Sequence, residues 1–542
     1  MNHVQKITVP LFTLICALIS TITFAQIQEP NQALSFNNPI LALNHISEKP
    51  RAKSELLGQF YKQYPKPYAW IENGTLSANA ITLKDIILKA REDALNPAHY
   101  HAAKIDALIK DFATLDQASQ QALDVLLTDA FLAYALDMGT GRAELRRTDR
   151  EWLLKGRTID PLKLLINALT NDTLGATLHD LVPKYNAYAG LKAALPHYQK
   201  LAKNSATAIR INAGKTLELN NKSERVVQVR ARLIAHNLLD QTQATSDIYD
   251  TNLRDAIKLY QQQEGLDIDG KVGPSTLRSL NSSVKDQLAK IEINMERWRW
   301  MPQSLGDFYL TVDITGFEYF IIKDGIETIR AKIVVGTASR PTPVFTADMN
   351  HIVFSPYWGV PNSIAVKDKL PLLRKDPYRL ARSGIRLYDR KGNEIDPGMV
   401  DWETYNQNNF KYTMRQDPGA NNALGRVKFM FPNSHAIYLH DTPTKSLFDK
   451  KVRTYSSGCI RIQNPLELAE YLLKDKGWSP ERIKAAYNKG KESSVKLDDA
   501  MRFPVYILYM TAWADAKGDV DFRPDIYNRD ADMYKALANL NK

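Results

Sequence analysis

The chain has 542 residues, 44% of them hydrophobic and 24% charged, a length that excludes a single core and a composition that excludes a disordered polymer, so about three domains are expected. Its formal charge of +11 would suit an acidic wall polymer or a membrane surface, but the lysines and arginines are scattered, which argues against nucleic acid and leaves plain solubility as the simpler account. Two cysteines and ten histidines without paired ligand spacing argue against a disulfide framework and against zinc; no metal and no organic cofactor is implied.

From the N-terminus, Lys6, the apolar run Ile7 to Phe24 and then Thr23-Phe24-Ala25 read as a signal peptide (1–25) removed after Ala25, so the protein is expected to be exported. The alternative is a retained inner-membrane anchor, because the run approaches the length that spans a bilayer. Ile15 before Cys16 argues against a lipoprotein signal. Cleavage lowers the charge to +10 and leaves Cys459 as the single thiol. An unpaired thiol in an exported protein is a liability unless its reactivity is used; the bland alternative is a buried inert cysteine.

Residues 26–221 read as a helical scaffold. Leu123, Leu126, Leu127, Ala130, Phe131, Tyr134 and Met138 recur at helical spacing as a core stripe, ended at Gly139-Thr140-Gly141, and no chemistry is visible there. In 222–282, Asp250 can cap a helix carrying Leu253, Ala256, Ile257 and Tyr260 that stops at Gly265, and Gly273-Pro274 opens another. With Val226, Val229, Leu233 and the Asp269-Gly270-x-x-Gly273 turn, this stretch resembles the three-helix peptidoglycan-binding domain; as bare sequence its glycines are turn formers. Residues 283–303 look like an amphipathic connecting helix with aromatic anchors, closed by Pro302.

The β-rich part is expected over 304–527, with 528–542 as a C-terminal tail. Tyr309 to Ile314 and Ala331 to Val335 are strand-like around the hairpin turn Lys323-Asp324-Gly325, and further strands are expected at Ile352 to Phe354, Val427 to Met430 and Phe503 to Tyr509. Between about 360 and 426 the pattern lapses into a polar, Pro/Gly-punctuated segment too long for an ordinary loop, with Trp358 at its entrance, able to line a cleft or to pack in a core. Ala436 to His440 alternates as a strand does, which puts Tyr438 and His440 on one face and Ile437 and Leu439 on the other. Asn464 as N-cap, Pro465 and Glu467 announce a helix, so Cys459 is expected in a Ser/Gly turn between strand and helix. Such a turn can aim several N–H groups at one point, as an oxyanion requires. His440 and Arg461 are the groups that could activate the thiol. The Asp441 side chain would point away from the His440 ring along a continuing strand, so a backbone carbonyl is the preferred orienter of the imidazole.

His440, a step of 19 positions, then Ser457-Gly458-Cys459-Ile460-Arg461 resembles the L,D-transpeptidase (YkuD-type) catalytic domain; Tyr-x-His-Asp-Thr-Pro with Ser-Ser-Gly-Cys-Ile-Arg looks like its long periplasmic, YcbB-type branch. The commoner family form has a His where this chain has Ser457. The resemblance implies a multidomain α+β protein with a helical scaffold, a small peptidoglycan-binding domain and a mainly-β catalytic domain with a capping subdomain (about 360–426). It implies that Cys459 attacks the carbonyl between meso-diaminopimelate and the terminal D-Ala of a tetrapeptide stem and passes the acyl group to a neighbouring stem, giving a 3→3 cross-link. His440 would be the general base, Gly458 and Cys459 N–H groups the oxyanion donors, and Ser457, Arg461, Tyr438 and Trp358 substrate-lining residues. Expected partners are donor and acceptor stems, other cell-wall synthesis proteins and carbapenem inhibitors. A thiol hydrolase of L,D-carboxypeptidase type and a non-catalytic wall-binding scaffold are the alternatives.

Overall fold

The computed structural model describes residues 39–203, 209–264, 266–515 and 517–540. The expected signal segment, with Lys6, Cys16 and Ala25, and the helix stop at Gly265 lie outside the described residues. No helix among the described residues is long and apolar enough to cross a membrane.

The N-terminal half is built around the helix Gln117–Thr140. Asp116 opens it by accepting from the Ser119 N–H at 2.8 Å, and Gly141, at φ +74°, ends it. Instead of one apolar stripe, the helix is buried on nearly every side, packed by the helices Ser54–Gln63, Ala78–Leu88, Ala102–Lys110 and Pro161–Thr170. Its buried carboxylates face loops that supply donors: Asp124 accepts from the N–H groups of Ala69 and Trp70 at 2.9 and 2.8 Å, and Asp129 from that of Ala52 at 2.9 Å.

The next unit is three helices, Glu224–Ala235, Thr251–Gln263 and Pro274–Asn281, around Val226, Val229, Leu233, Leu253 and Ile257. Asp250 caps the second helix through the Leu253 N–H at 2.9 Å. Gly270 sits at φ +66°, and its N–H donates to the Gln261 side chain at 2.8 Å, so this signature glycine is spent on closing a turn.

The connecting helix, Val284–Arg299, opens with a Ser283/Asp286 capping box. Its second half is not amphipathic: every residue from Asn294 to Arg299 is buried. The charges there are paired internally. Glu296 meets Arg142 and Arg299, each at 2.9 Å, and Arg297 meets Asp530 at 2.8 Å and Asp149 at 3.5 Å. Asp149 also accepts from Arg529 at 2.8 Å. Burial alone would raise the Glu296 carboxyl; the adjacent Arg142 and Arg299 outweigh it and hold Glu296 below its ordinary value. These pairs tie residues before 150, the helix, and residues after 528 into one junction. The stretch expected as a tail forms the helix Asp530–Leu540, with Met533 and Leu537 buried in the same core as Trp152, Tyr188 and a large β-sheet.

That sheet has eleven strands of mixed direction. Asp324 (φ +51°) and Gly325 (φ +77°) form the expected hairpin turn between Glu318–Lys323 and Ile326–Gly336. The long strand Ile326–Gly336 pairs along Glu318–Lys323 and, toward its end, with Ile460–Ile462, joining the two halves of the sheet. Residues 360–426 carry their own structure, a helical stretch from Asn362 to Lys375 and the strand Thr413–Gln416, which pairs with Ile385–Tyr388 on one side and with Trp358–Gly359 on the other. This cap has a separate core of Leu370, Leu373, Ile385, Leu387, Trp402 and Met414.

Candidate active site

The site forms where two short strands run parallel. Leu439–His440 lies between Val427–Met430, which is antiparallel to it, and Ile460–Ile462, which is parallel, with His440 opposite Arg461 and Leu439 opposite Ile460. Paired residues of parallel strands present side chains to the same face, and the face repeats every second residue, so Tyr438, His440, Cys459 and Arg461 share one side while Ile437, Leu439 and Ile460 fill the core. The Tyr438 and His440 rings meet at 5.7 Å between centroids. The expected five-residue strand is shorter than its alternation suggested, because Ala436 turns left-handed (φ +53°) and Asn433 ties the turn, its side-chain N–H donating to the Ile437 carbonyl at 2.8 Å.

His440 is 4% exposed, and its Nδ1 lies 2.5 Å from the carbonyl oxygen of Asp441. A carbonyl can only accept, so Nδ1 carries the proton and Nε2 is left as a free acceptor. Burial first, and then the Arg461 charge, push the imidazole down to about 3, so it rests neutral. The Asp441 carboxylate does not hold the ring, and its charge offsets that fall only in part; it accepts from the N–H groups of Thr442 (2.7 Å) and Arg426 (3.0 Å), the Tyr487 hydroxyl (2.7 Å) and Lys445.

Cys459 follows Gly458, whose φ of +110° closes the turn between the strands Thr454–Ser456 and Ile460–Ile462. The turn is therefore strand to strand, and the helix Pro465–Leu473 comes only afterwards. Asn464 precedes that helix in a left-handed conformation and caps no N–H, because its side chain is turned to Glu467 at 3.3 Å. The thiol is half-buried and donates to the Ala436 carbonyl at 3.7 Å. Burial pushes the thiol up, partly offset by hydrogen bonds from Tyr438 and by the Arg461 charge. Thiol and imidazole thus rest as a neutral pair.

The segment 336–342, which sequence reasoning passed over, fastens this turn. The Thr337 N–H donates to the Ser456 carbonyl at 2.9 Å, and the Thr342 hydroxyl donates to the Gly458 carbonyl at 2.8 Å while accepting from the Gly336 N–H at 3.0 Å. The Tyr527 hydroxyl donates to the Gly336 carbonyl at 2.9 Å. Ser457 accepts from Arg340 at 3.0 Å. Arg461 donates to the Tyr455 carbonyl at 3.3 Å, and its buried Nε has no acceptor among the described residues. Trp358 stands apart: it is 9% exposed in the core of the cap, with the Lys369 ammonium 5.7 Å from its ring, and Tyr438 of the site packs against the same cluster.

Comparison with known proteins defines the class. Residues 307–507 match the L,D-transpeptidase catalytic domain, residues 222–280 the "Putative peptidoglycan binding domain" and residues 55–195 the "Scaffold domain". The chain thus carries an L,D-transpeptidase catalytic domain of the YkuD type beside a peptidoglycan-binding domain. Among individual proteins, it is 35% identical over 250 residues to a Haemophilus influenzae protein named "Putative L,D-transpeptidase", a match covering 46% of this chain and 50% of that relative, so about half of its length is spanned. Solved structures with a detectable likeness include an L,D-transpeptidase from Mycobacterium smegmatis (12% identity, 37% of this chain and 58% of that chain, TM-score 0.18) and the L,D-transpeptidase of Xylanimonas cellulosilytica (12% identity, 55% and 99%, TM-score 0.17).

Proposed function

We propose that the protein is an L,D-transpeptidase of the space outside the cytoplasm that forms 3→3 peptidoglycan cross-links through a thioester on Cys459. The observation that supports this best is the fixed tautomer of His440: with Nδ1–H held by the Asp441 carbonyl, Nε2 is an acceptor on the face that Cys459 shares. The cysteine sulfur attacks the carbonyl between meso-diaminopimelate and D-Ala of a tetrapeptide stem, and the thiol proton passes to Nε2. Because both groups rest neutral, that transfer accompanies the attack and does not precede it. The Gly458 carbonyl is tied to Thr342 on one side, and in a trans peptide the next N–H points the opposite way, so the Cys459 N–H is turned from Thr342 and can meet the oxyanion together with the Gly458 N–H. The imidazolium returns its proton to the nitrogen of D-Ala as the C–N bond breaks. An acceptor stem amine then attacks the thioester, gives its proton to Nε2, and the sulfur leaves as the thiol. Arg461, on the face that Cys459 shares, brings a positive charge to the thiol and is assigned to substrate binding; Tyr438 hydrogen-bonds the thiol, Ser457 lies two positions before it, and Trp358 belongs to the cap cluster on which Tyr438 packs.

Intact-protein mass spectrometry with purified tetrapeptide muropeptides tests the proposal. A Cys459 adduct lacking D-Ala, followed by a 3→3 dimer, is the expected result, as is its complete loss in Cys459→Ala. Release of tripeptide alone would make the protein a thiol hydrolase. An adduct on Ser456 or Ser457 after carbapenem treatment would overturn Cys459 as the nucleophile.

A further inference from the structure

Arg340 occupies the turn after the strand Ile326–Gly336, the same turn that holds the Ser456–Gly458 backbone through Thr337 and Thr342. Its guanidinium does two things at once. Nη1 donates to the Ser457 hydroxyl at 3.0 Å, and Nη1 and Nη2 together grip the carboxylate of Asp368, each at 2.6 Å. Asp368 belongs to the cap, in the widened π-helical turn Ala365–Lys369, a local geometry that departs from the regular ladder and concentrates at functional sites. The ion pair is therefore a bridge between the cap and the residue two before the nucleophile. Its side chains are 29% and 39% exposed, so water competes for it, and such surface pairs are weak enough to open. The backbone of Arg340 is tied into the turn, its N–H donating to the Thr337 carbonyl at 3.0 Å, and it runs so close to Gly336 that a Cβ there would lie 2.2 Å from the Arg340 carbonyl oxygen.

We propose that Arg340 is a positioning residue that couples the seating of the cap to the conformation of the nucleophile turn. With Asp368 engaged, the guanidinium is held over Ser457 and the turn presents the Gly458 and Cys459 N–H groups to the oxyanion; with Asp368 withdrawn, Ser457 loses its tether and the turn slackens while the thiol itself stays reactive. The inference rests on the acyl-transfer reading of the site, and it asks more of the cap than shelter. The Arg340 pairing holds the Asp368 carboxyl below its ordinary value, so the bridge is charged across the neutral range.

A double-mutant cycle on the full chain tests it, with Arg340→Ala, Asp368→Ala and the double variant assayed for D-Ala release from tetrapeptide and for hydrogen exchange of a peptide covering 456–462. Each single change is expected to lower kcat by roughly 10-fold or more with KM changed less than about threefold, and the double variant to be no worse than the poorer single, because both cut one linkage. Exchange at 457–459 should quicken equally in all three, and iodoacetamide should still alkylate Cys459 at near wild-type rate. Losses that multiply in the double variant, losses confined to KM, or exchange that does not change would overturn the coupling. If the wild type alkylates but turns over no stem peptide, the functional proposal has failed, and the exchange measurement still decides the linkage on its own.

Discussion

Asp441→Asn separates two ways of orienting His440. The carboxylate is 2% exposed and its two oxygens serve four donors: Oδ1 takes the Thr442 N–H and Lys445, and Oδ2 takes the Arg426 N–H and the Tyr487 hydroxyl. An amide keeps one acceptor oxygen and replaces the other with a donor, so at least one backbone N–H loses its partner. Lys445 can turn to solvent and the Tyr487 hydroxyl can rotate, which leaves about 1–3 kcal/mol for the stranded N–H and a similar amount for the lost charge. A fall of about 2–6 kcal/mol in unfolding free energy is therefore expected, read by urea denaturation. The carbonyl of residue 441 is untouched and still accepts the Nδ1 proton, so kcat for D-Ala release should drop less than about tenfold, whereas a side-chain triad member would cost on the order of 10⁴. A thousandfold loss of kcat in a variant of wild-type stability would refute the assignment of the orienting role to the backbone.

Gly336→Ala would place a carbon 2.2 Å from the Arg340 carbonyl and 3.1 Å from the Gly458 nitrogen, so it should cost about 1–3 kcal/mol and lower kcat by about 10²; turnover within twofold of wild type in a folded variant would show that the oxyanion donors do not depend on this packing. The pH dependence follows from the neutral pair. His440 protonates at about 3 when folded and at 6.5 when unfolded, so the unfolded chain takes up the extra proton between those values; this contribution is complete above pH 6.5 and is lost as pH falls toward 3, and His440→Gln should flatten that limb of the stability profile. In the folded enzyme, alkylation of Cys459 should rise with pH through the neutral range with no inflection near 6.5 and a midpoint above the ordinary thiol value of 9.0, and a step near 6.5 would contradict the buried, neutral imidazole.

The local signals were legible in the sequence. Asp324-Gly325 closes its hairpin, Asp250 and Pro274 open their helices, and the alternation from Ile437 to His440 places the Tyr438 and His440 rings together. What could not be read was pairing at long range. Nothing near Cys459 in sequence announces that Thr342 holds the Gly458 carbonyl or that Ile460–Ile462 runs parallel to Leu439–His440. Ala436 carries no hint of a left-handed turn, since a residue with a Cβ seldom adopts one. The strands of the cap are four residues long or shorter and give too few alternations to register against the polar background. Charge misled at Arg297 and Arg299, where a basic residue at helical spacing ordinarily marks a solvent face; Arg299 meets Glu296 of its own helix, and the partners of Arg297, Asp149 and Asp530, come from either side of the helix in sequence.

The junction around Arg297 also bears on how the chain acquires its shape. Asp530, Met533 and Leu537 follow the helix Val284–Arg299 by more than two hundred residues in sequence, yet they neutralise and cover it. Until they arrive, Arg297 has lost a counter-charge and the apolar core lacks one wall. The large sheet is therefore expected to close only when the stretch from residue 530 onward is present, and a chain truncated before residue 530 should remain protease-sensitive at the strands around Cys459 even though every residue of the site is in it.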